Sequence, residues 1–280
     1  MQRLSCQFKP LIAIENLNAL KFKSQFFQSS TPVLLRNTVQ PRINAIDKWF
    51  DGNGKLDIGY LGKYSSTIVP LEHTVKSQDG SGTVEFRRQN VPLDLFLKWV
   101  DMKQSAAEGH DSNLYLAQAS LDELPGPLIH DLPLPELVQK AGKGDVYGSS
   151  LWMGYPPTVT PLHRDPNPNL LVQLAGEKQI RMIAPDDGKQ VFQEVKMRVG
   201  RQGIGRMRGV EMMGGEERRV AEDLIWGEKQ GEELVHGVEA CLYPGDAVFI
   251  PLSWWHAVRG VGGKISASVG ITFLIVIGSS

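Results

Sequence analysis

The sequence predicts a mainly β fold, a sandwich or jelly roll, preceded by an α-rich N-terminal part. From Leu114 onward, short apolar runs alternate with Gly and Pro punctuation, the pattern of many short strands. No long helical pattern separates these runs, so parallel βαβ units are not supported. Apolar residues at helical spacing are instead concentrated before that point.

The elements follow in order. Residues 15–27 (ENLNALKFKSQFF) carry apolar residues at Leu17, Leu20, Phe22 and Phe26 and read as a short amphipathic helix. Ser29-Ser30-Thr31-Pro32 ends it, and Val33-Leu34-Leu35 reads as a strand. A second helix over 45–50 stops at Asp51-Gly52-Asn53-Gly54. Residues 68–72 form a short strand, 77–82 a loop and 83–87 another strand. A third helix runs over 91–100, with Leu93, Phe96, Leu97 and Val100 in register. Seven further strands are expected at 114–119, 149–153, 170–174, 179–183, 247–250, 257–261 and 265–274.

Residues 196–233 break the pattern. Lys196, Arg198, Arg201, Arg206 and Arg208 come first, and acidic residues from Glu211 to Glu233 follow. Glycines are frequent and strand patterning is poor, which predicts a solvated, partly mobile insertion at about 190–235. The expected organisation is an N-terminal α/β part (1–110) packed on a core (111–280), one structural domain overall.

At 280 residues, 41% hydrophobic and 22% charged, the composition is ordinary for a globular protein. A net charge of −1 provides no global attraction to nucleic acid or an anionic membrane. Two cysteines, Cys6 and Cys241, cannot build a disulfide framework and suit a reducing compartment. The N-terminal MQRLSCQFKP lacks an apolar signal region. The apolar run over 271–277 is too short to span a bilayer. An intracellular protein of cytoplasm or nucleus is expected, without a membrane partner.

The sharpest chemical signal is Thr160-Pro161-Leu162-His163-Arg164-Asp165, answered by Trp254-Trp255-His256. Residues i and i+2 of an extended strand share a face, so His163 and Asp165 can reach one metal together. With His256 they make the two-imidazole, one-carboxylate set of non-haem Fe(II) oxygenases. Before His256, Pro244-Gly245-Asp246 reads as a turn, Ala247–Ile250 as a buried strand, and Pro251 as the start of a second turn. His73, His110, His130 and His236 lack a partner at ligand spacing and are read as structural. One of Trp254 and Trp255 is expected in the core and the other at a pocket rim.

These segments, with Leu170–Lys178 after the H-x-D motif, resemble the JmjC (cupin-like) Fe(II)- and 2-oxoglutarate-dependent oxygenases. The resemblance spans about Pro32 to Thr272 and is thin across the insertion. Leu114–Gln118 followed by Leu124-Pro125 makes the small arginyl-hydroxylase type the nearest kind. It implies a double-stranded β-helix core in residues 111–280 and the cofactors Fe(II), 2-oxoglutarate and O2. It also implies that Lys178, Thr160 and Tyr115 hold the distal carboxylate of 2-oxoglutarate and that Asn169 helps place the cosubstrate. A buried carboxylate needs such a cation and donors. Glu72 and Trp152 match positions lining the substrate side of the pocket.

Some residues depart from the family pattern. Gly270 stands where an Asn or Ser is common, and Ile271-Thr272-Phe273 replaces an aromatic cluster. No C-terminal dimerising helices are evident before Ser280, so the oligomeric state stays open.

The resulting expectation is a protein or peptide side-chain hydroxylase. Two alternatives keep the same iron chemistry, a JmjC histone lysine demethylase and a tRNA-base hydroxylase. The lack of a Cys/His zinc cluster disfavours the first. The basic stretch from Lys196 to Arg208 keeps nucleic acid open as a partner, although a solvated loop explains it more simply. An inactive cupin-like binding protein is the non-enzymatic alternative, favoured only by Gly270.

Overall fold

The computed structural model describes residues 4–76, 84–105, 112–142, 144–200, 216–227 and 233–274. Its strands are β1 (Leu4–Pro10), β2 (Ala13–Glu15), β3 (Val33–Arg36), β4 (Ile68–Lys76), β5 (Val84–Pro92), β6 (Ser112–Ser120) and β7 (Val146–Gly154). They continue as β8 (Val159–Arg164), β9 (Asn169–Ala175), β10 (Glu177–Ile183), β11 (Glu233–Leu242), β12 (Ala247–Ile250), β13 (Trp255–Val261) and β14 (Ser266–Phe273). The helices are α1 (Ala19–Phe22, continued as a π turn by Lys23–Phe27), α2 (Ala45–Lys48), α3 (Ile58–Leu61) and α4 (Leu93–Ser105). After them come α5 (Gly126–His130), α6 (Glu136–Ala141), α7 (Pro185–Val199) and α8 (Glu216–Trp226). None of these helices is long and apolar enough to cross a membrane.

Two sheets form, ordered β1-β11-β10-β13-β8 and β2-β3-β12-β9-β14-β7-β6-β4-β5. All neighbours are antiparallel except β1 with β11 and β2 with β3. The period-2 alternation of strands divides the side chains into layers. In β12, Ala247 and Phe249 join the large outer core, while Val248 and Ile250 face the space between the sheets. Ile180 and Met182 of β10 and Val258 of β13 meet them there. On the outer face of the smaller sheet, Leu162, Trp255 and Ala257 pack under α7 and α8. Two facing sheets with this alternation are consistent with a cupin jelly roll, in a mixed α/β architecture.

An α-rich N-terminal part is not evident. Residues 4–36 and 68–92 supply β1 to β5, which pair into the two sheets. The edge strand β1 buries only its first three residues, Leu4 to Cys6, and its run Leu4–Pro10 ends polar and exposed, so composition alone did not mark it. The helices expected near 15–27, 45–50 and 91–100 do form, as α1 with its π turn, α2 and α4. The loop expected at 77–82 lies outside the described residues.

The charged segment at 190–235 is also more ordered than expected. It lies between β10 and β11, yet it carries most of α7, all of α8 and the start of β11. Pro185 opens α7, Asp186 and Asp187 occupy its first turn, and Gly200 (φ 78°) ends it. Val191 and Val195 of α7 and Ala221, Leu224 and Ile225 of α8 are buried against the sheet. The charges form i,i+4 pairs on the solvent side, Glu194 with Arg198 and Glu222 with Arg218. A narrow apolar stripe was outweighed by charge in the composition. Residues 201–215 and 228–232, including Arg201, Arg206, Arg208 and Glu211, lie outside the described residues.

One polar network anchors the helices at the N-terminal end. Asp131 is 1% exposed. It accepts from Lys48 Nζ (2.6 Å), Tyr60 Oη (2.6 Å) and Trp49 Nε1 (3.0 Å). Burial alone would raise its carboxyl, but these donors outweigh burial and hold it below the usual carboxylate range. Asp131→Ala strands the buried Trp49 Nε1–H, removes the acceptor of Tyr60 and Lys48, and is expected to destabilise the fold by about 3 kcal/mol. Urea denaturation checks this, and a loss below about 0.5 kcal/mol, the range of ordinary surface changes, would exclude an anchoring role.

Candidate metal centre and cosubstrate pocket

Each metal-ligand candidate reaches the site by its strand position. His163 of β8 pairs directly with His256 of β13, and Arg164 pairs with Trp255. The histidines therefore share the inner face while Arg164 and Trp255 take the outer one. Asp165 follows the last residue of β8. The turns around β12 are those the sequence signals. Asp246 N–H donates to the Tyr243 carbonyl across Pro244-Gly245, with Gly245 at φ 91°, as a type II turn requires. The second turn closes through Trp254 N–H to the Pro251 carbonyl, with Ser253 at φ 64°.

The ligand atoms of His163, Asp165 and His256 all lie within 4.8 Å of one another. Asp165 Oδ1 is 3.8 Å from His163 Nε2, and Asp165 Oδ2 is 3.8 Å from His256 Nε2. Each imidazole donates Nδ1–H to a carbonyl two residues earlier, His163 to Pro161 (2.8 Å) and His256 to Trp254 (3.2 Å). A carbonyl can only accept, so Nδ1 carries a proton and Nε2 is the atom left to face a metal. Burial, reinforced by His163, pushes His256 down to about 4. It is therefore neutral near pH 7, the form that binds metal. Two imidazoles and one carboxylate fit a divalent iron centre with open positions.

These residues line a cavity of about 530 Å³, together with Lys178, Tyr115, Thr160, Asn169, Glu72 and Trp152. All the sequence-predicted site residues thus converge on one space. Lys178 shares the inner face of β10 with Ile180 and Met182 and is 2% exposed. Its Nζ donates to Ser268 Oγ. Among the described residues no carboxylate pairs with it, and burial pushes its amine down to about 7. An ammonium without a counter-charge in such a place calls for an anion. The Tyr115 hydroxyl shares hydrogen bonds with the Thr160 and Thr158 side chains. Burial, then the nearby Glu72 charge, raises its phenol, so it stays protonated and can donate.

The turn that presents Lys178 depends on a glycine. Gly176 has φ 60°, and a Cβ there would lie 2.3 Å from the Ile265 carbonyl oxygen. No other residue type fits without moving β14.

Asn169 Nδ2 donates to Asp165 Oδ2 at 3.0 Å, while its Oδ1 is buried without a partner among the described residues. It thus orients the metal-side carboxylate in addition to facing the cavity. Gly270 lines the same wall, and a Cβ there would come 3.4 Å from Asn169 Oδ1. Glu72 is buried, and its carboxyl is raised by burial against the opposing charges of Arg88 and Arg218. Arg88 Nη1 sits 3.9 Å from Glu72 Oε1, a long ion pair. Trp152 stands 6.0 Å from the Tyr115 ring, centroid to centroid.

Sequence reasoning missed Ser268, Thr158 and Arg88. Ser268 had a signal. Ser266, Ser268, Gly270 and Thr272 alternate in β14 with the core residues Ala267, Val269, Ile271 and Phe273. Small or polar residues on the inner face of a buried strand mark a lined cavity. Neither tryptophan is at the pocket rim, contrary to expectation. Trp255 packs outward beneath α7 and Trp254 against the core between the sheets. His73, His130 and His236 stand away from the cavity. His110 lies outside the described residues.

The family model for the cupin-like domain matches residues 19–273. Jumonji C domain-containing protein 5 of Drosophila melanogaster is 29% identical over 254 residues, covering 89% of this chain and 56% of that protein. Lysine-specific demethylase 8 of Danio rerio is 31% identical over 261 residues, covering 89% and 55%. Lysine-specific demethylase JMJ30 of Arabidopsis thaliana is 27% identical over 251 residues, covering 88% and 51%. The chain spans about half the length of the curated relatives it matches. With the facing sheets, the His-Asp-His cluster and these relatives in view, the chain belongs to the cupin-like domain family, on its JmjC side.

Proposed function

We propose that this protein is an Fe(II)- and 2-oxoglutarate-dependent oxygenase that hydroxylates an amino-acid side chain of a protein or peptide. The observation that carries the reading is Lys178, a buried amine without a counter-charge among the described residues, in one cavity with the His163–Asp165–His256 cluster. When bound, iron with 2-oxoglutarate and O2 supplies the oxidising power for hydroxylating an unactivated C–H bond.

The chain's own residues do the rest. His163, Asp165 and His256 hold the metal, and the backbone carbonyls of Pro161 and Trp254 fix the imidazole orientation. Asn169 keeps the Asp165 carboxylate turned toward the histidines. Lys178, with Tyr115 and Thr160, receives the far carboxylate of the cosubstrate by charge-assisted hydrogen bonds. Leu171, Ile250 and Val258 line the cavity with apolar surface that excludes water.

The substrate side belongs to Glu72 and Trp152. A buried carboxylate suits a cationic side chain, and a guanidinium held by Glu72 makes the arginyl type the finer proposal. The names of two relatives favour a second reading, in which an N-methyl group of lysine is hydroxylated and lost as formaldehyde. Nucleic acid is the weaker partner proposal.

The test is succinate formation from 2-oxoglutarate with a panel of Arg- and Lys-containing peptides. A peptide mass gain of one oxygen supports hydroxylation, and formaldehyde release supports the second reading. No coupled turnover by an iron-loaded protein would leave the inactive binding protein. Glu72→Gln is expected to raise KM for cationic peptides about tenfold, the loss of one charge-assisted hydrogen bond, with kcat little changed. An unchanged KM removes Glu72 from substrate binding.

A further inference from the structure

The outer faces of the two ligand strands carry a second arrangement. Trp255 is directly opposite Arg164, as His256 is opposite His163. The Arg164 guanidinium lies over the Trp255 ring, 5.6 Å from its centroid. On its other contacts the indole meets α7. Phe192 lies 5.6 Å away at 30°. Gly188 is closer still, since a Cβ there would fall 2.0 Å from Trp255 Cδ1 and 2.4 Å from Cγ. Trp255 Nε1 is buried without a hydrogen-bond partner among the described residues, so there apolar contact and the guanidinium hold the ring.

The position of this clamp gives it consequence. Arg164 sits between two metal ligands, His163 and Asp165. Trp255 precedes the third. His163 and His256 are the last regular partners before the β8–β13 ladder loses register between His256 and Val258, so regular pairing holds their spacing from one side only. Asp165 lies beyond the end of β8, and among the described residues the Asn169 bond alone orients its carboxylate.

We propose that Trp255 is a positioning residue, held between Arg164 and the α7 face at Gly188, which sets the separation of the strands that carry the metal ligands. On this account α7 and α8 are a brace for the metal centre. The inference rests on the proposed metal site. It does not depend on which substrate the protein takes.

The experiment is anaerobic Co(II) titration of the full chain, followed by the visible d–d bands, with thermal unfolding of the metal-free forms. The forms compared are wild type, His163→Ala, Arg164→Gln, Trp255→Phe and Gly188→Ala. Arg164 is exposed, so Arg164→Gln tests the clamp without opening a core. Arg164→Gln is expected to fold as wild type, to weaken Co(II) about tenfold and to shift the bands, the scale seen when support for a ligand is removed. Gly188→Ala is expected to produce the larger band shift, because Trp255 must move. Arg164→Lys, which keeps a cation over the ring, is expected to recover part of the affinity.

Wild-type affinity and bands in Arg164→Gln and Gly188→Ala, with His163→Ala unable to bind, would overturn the positioning role and leave the metal site standing. No Co(II) binding by wild type, or equal binding by His163→Ala, overturns the metal site and the inference together. Should Trp255→Phe fail to fold, the Arg164 pair of variants decides.

Discussion

His163→Ala is expected to abolish the visible charge-transfer band that Fe(II) and 2-oxoglutarate should give with the wild type, and all coupled succinate formation with it. One of the three proposed ligands would be lost, whose Nε2 stands 3.8 Å from Asp165 Oδ1. Loss of that bond corresponds to about 4 kcal/mol, roughly 1,000-fold in metal affinity. The fold should tolerate the change, because His163 is only partly buried and contributes nothing to the apolar clusters. Removing it also relieves the crowding of two imidazoles whose ring centres are 4.1 Å apart. The metal-free variant should therefore unfold at or slightly above the wild-type temperature. Anaerobic titration with Fe(II) and then 2-oxoglutarate reads the first effect and calorimetry the second. A band retained by His163→Ala would remove this residue from the metal centre.

Lys178→Met is expected to separate stability from binding. Methionine keeps the length and apolar stem of lysine but removes an amine that burial disfavours. The ligand-free protein should become more stable near pH 6, where Lys178 is charged in both folded and unfolded states and bears the full desolvation cost. Its affinity for 2-oxoglutarate should fall by about 100-fold, as the buried carboxylate loses its cation.

The pH dependence follows from the same group. Its amine is pushed down to about 7 when folded, from 10.5 when unfolded. Between these values the unfolded chain binds more protons, so ligand-free wild-type stability gains from this group as pH rises from about 7 to 10.5, by an amount on the order of a few kcal/mol. Below about 7 both states are protonated and the gain is absent. Cosubstrate binding runs the opposite way, because the carboxylate needs the ammonium. Its affinity should fall about tenfold per pH unit above 7, and Lys178→Met should abolish that slope. A variant that retains both the slope and the affinity would place the carboxylate elsewhere.

The candidate metal ligands are legible in the residues and their spacing. His163 and Asp165 are two residues apart in an extended stretch, and His256 follows a turn, strand and turn that local residues specify. Pro244-Gly245 dictates its own turn, and alternation in 247–250 dictates which residues enter the core. Such features rest on backbone preferences and strand period, which short stretches carry unaided. The candidates Lys178, Tyr115, Thr160, Asn169, Glu72 and Trp152 were legible only through likeness to a family. Nothing in the spacing of Glu72 and Lys178 brings strands four and ten together.

Tertiary structure alone decided the rest. It turned a charge-rich segment into α7 and α8, because a few apolar residues found a sheet face to cover. It joined β1 to β11 across most of the chain, so the N-terminal part became sheet as much as helix. It selected Ser268 as the neighbour of Lys178, and it sent Trp255 outward against Gly188 and Arg164 while His256 turned inward. Long-range pairing sets these partnerships. A strand's sequence states that its faces differ, but only the fold determines what each face meets.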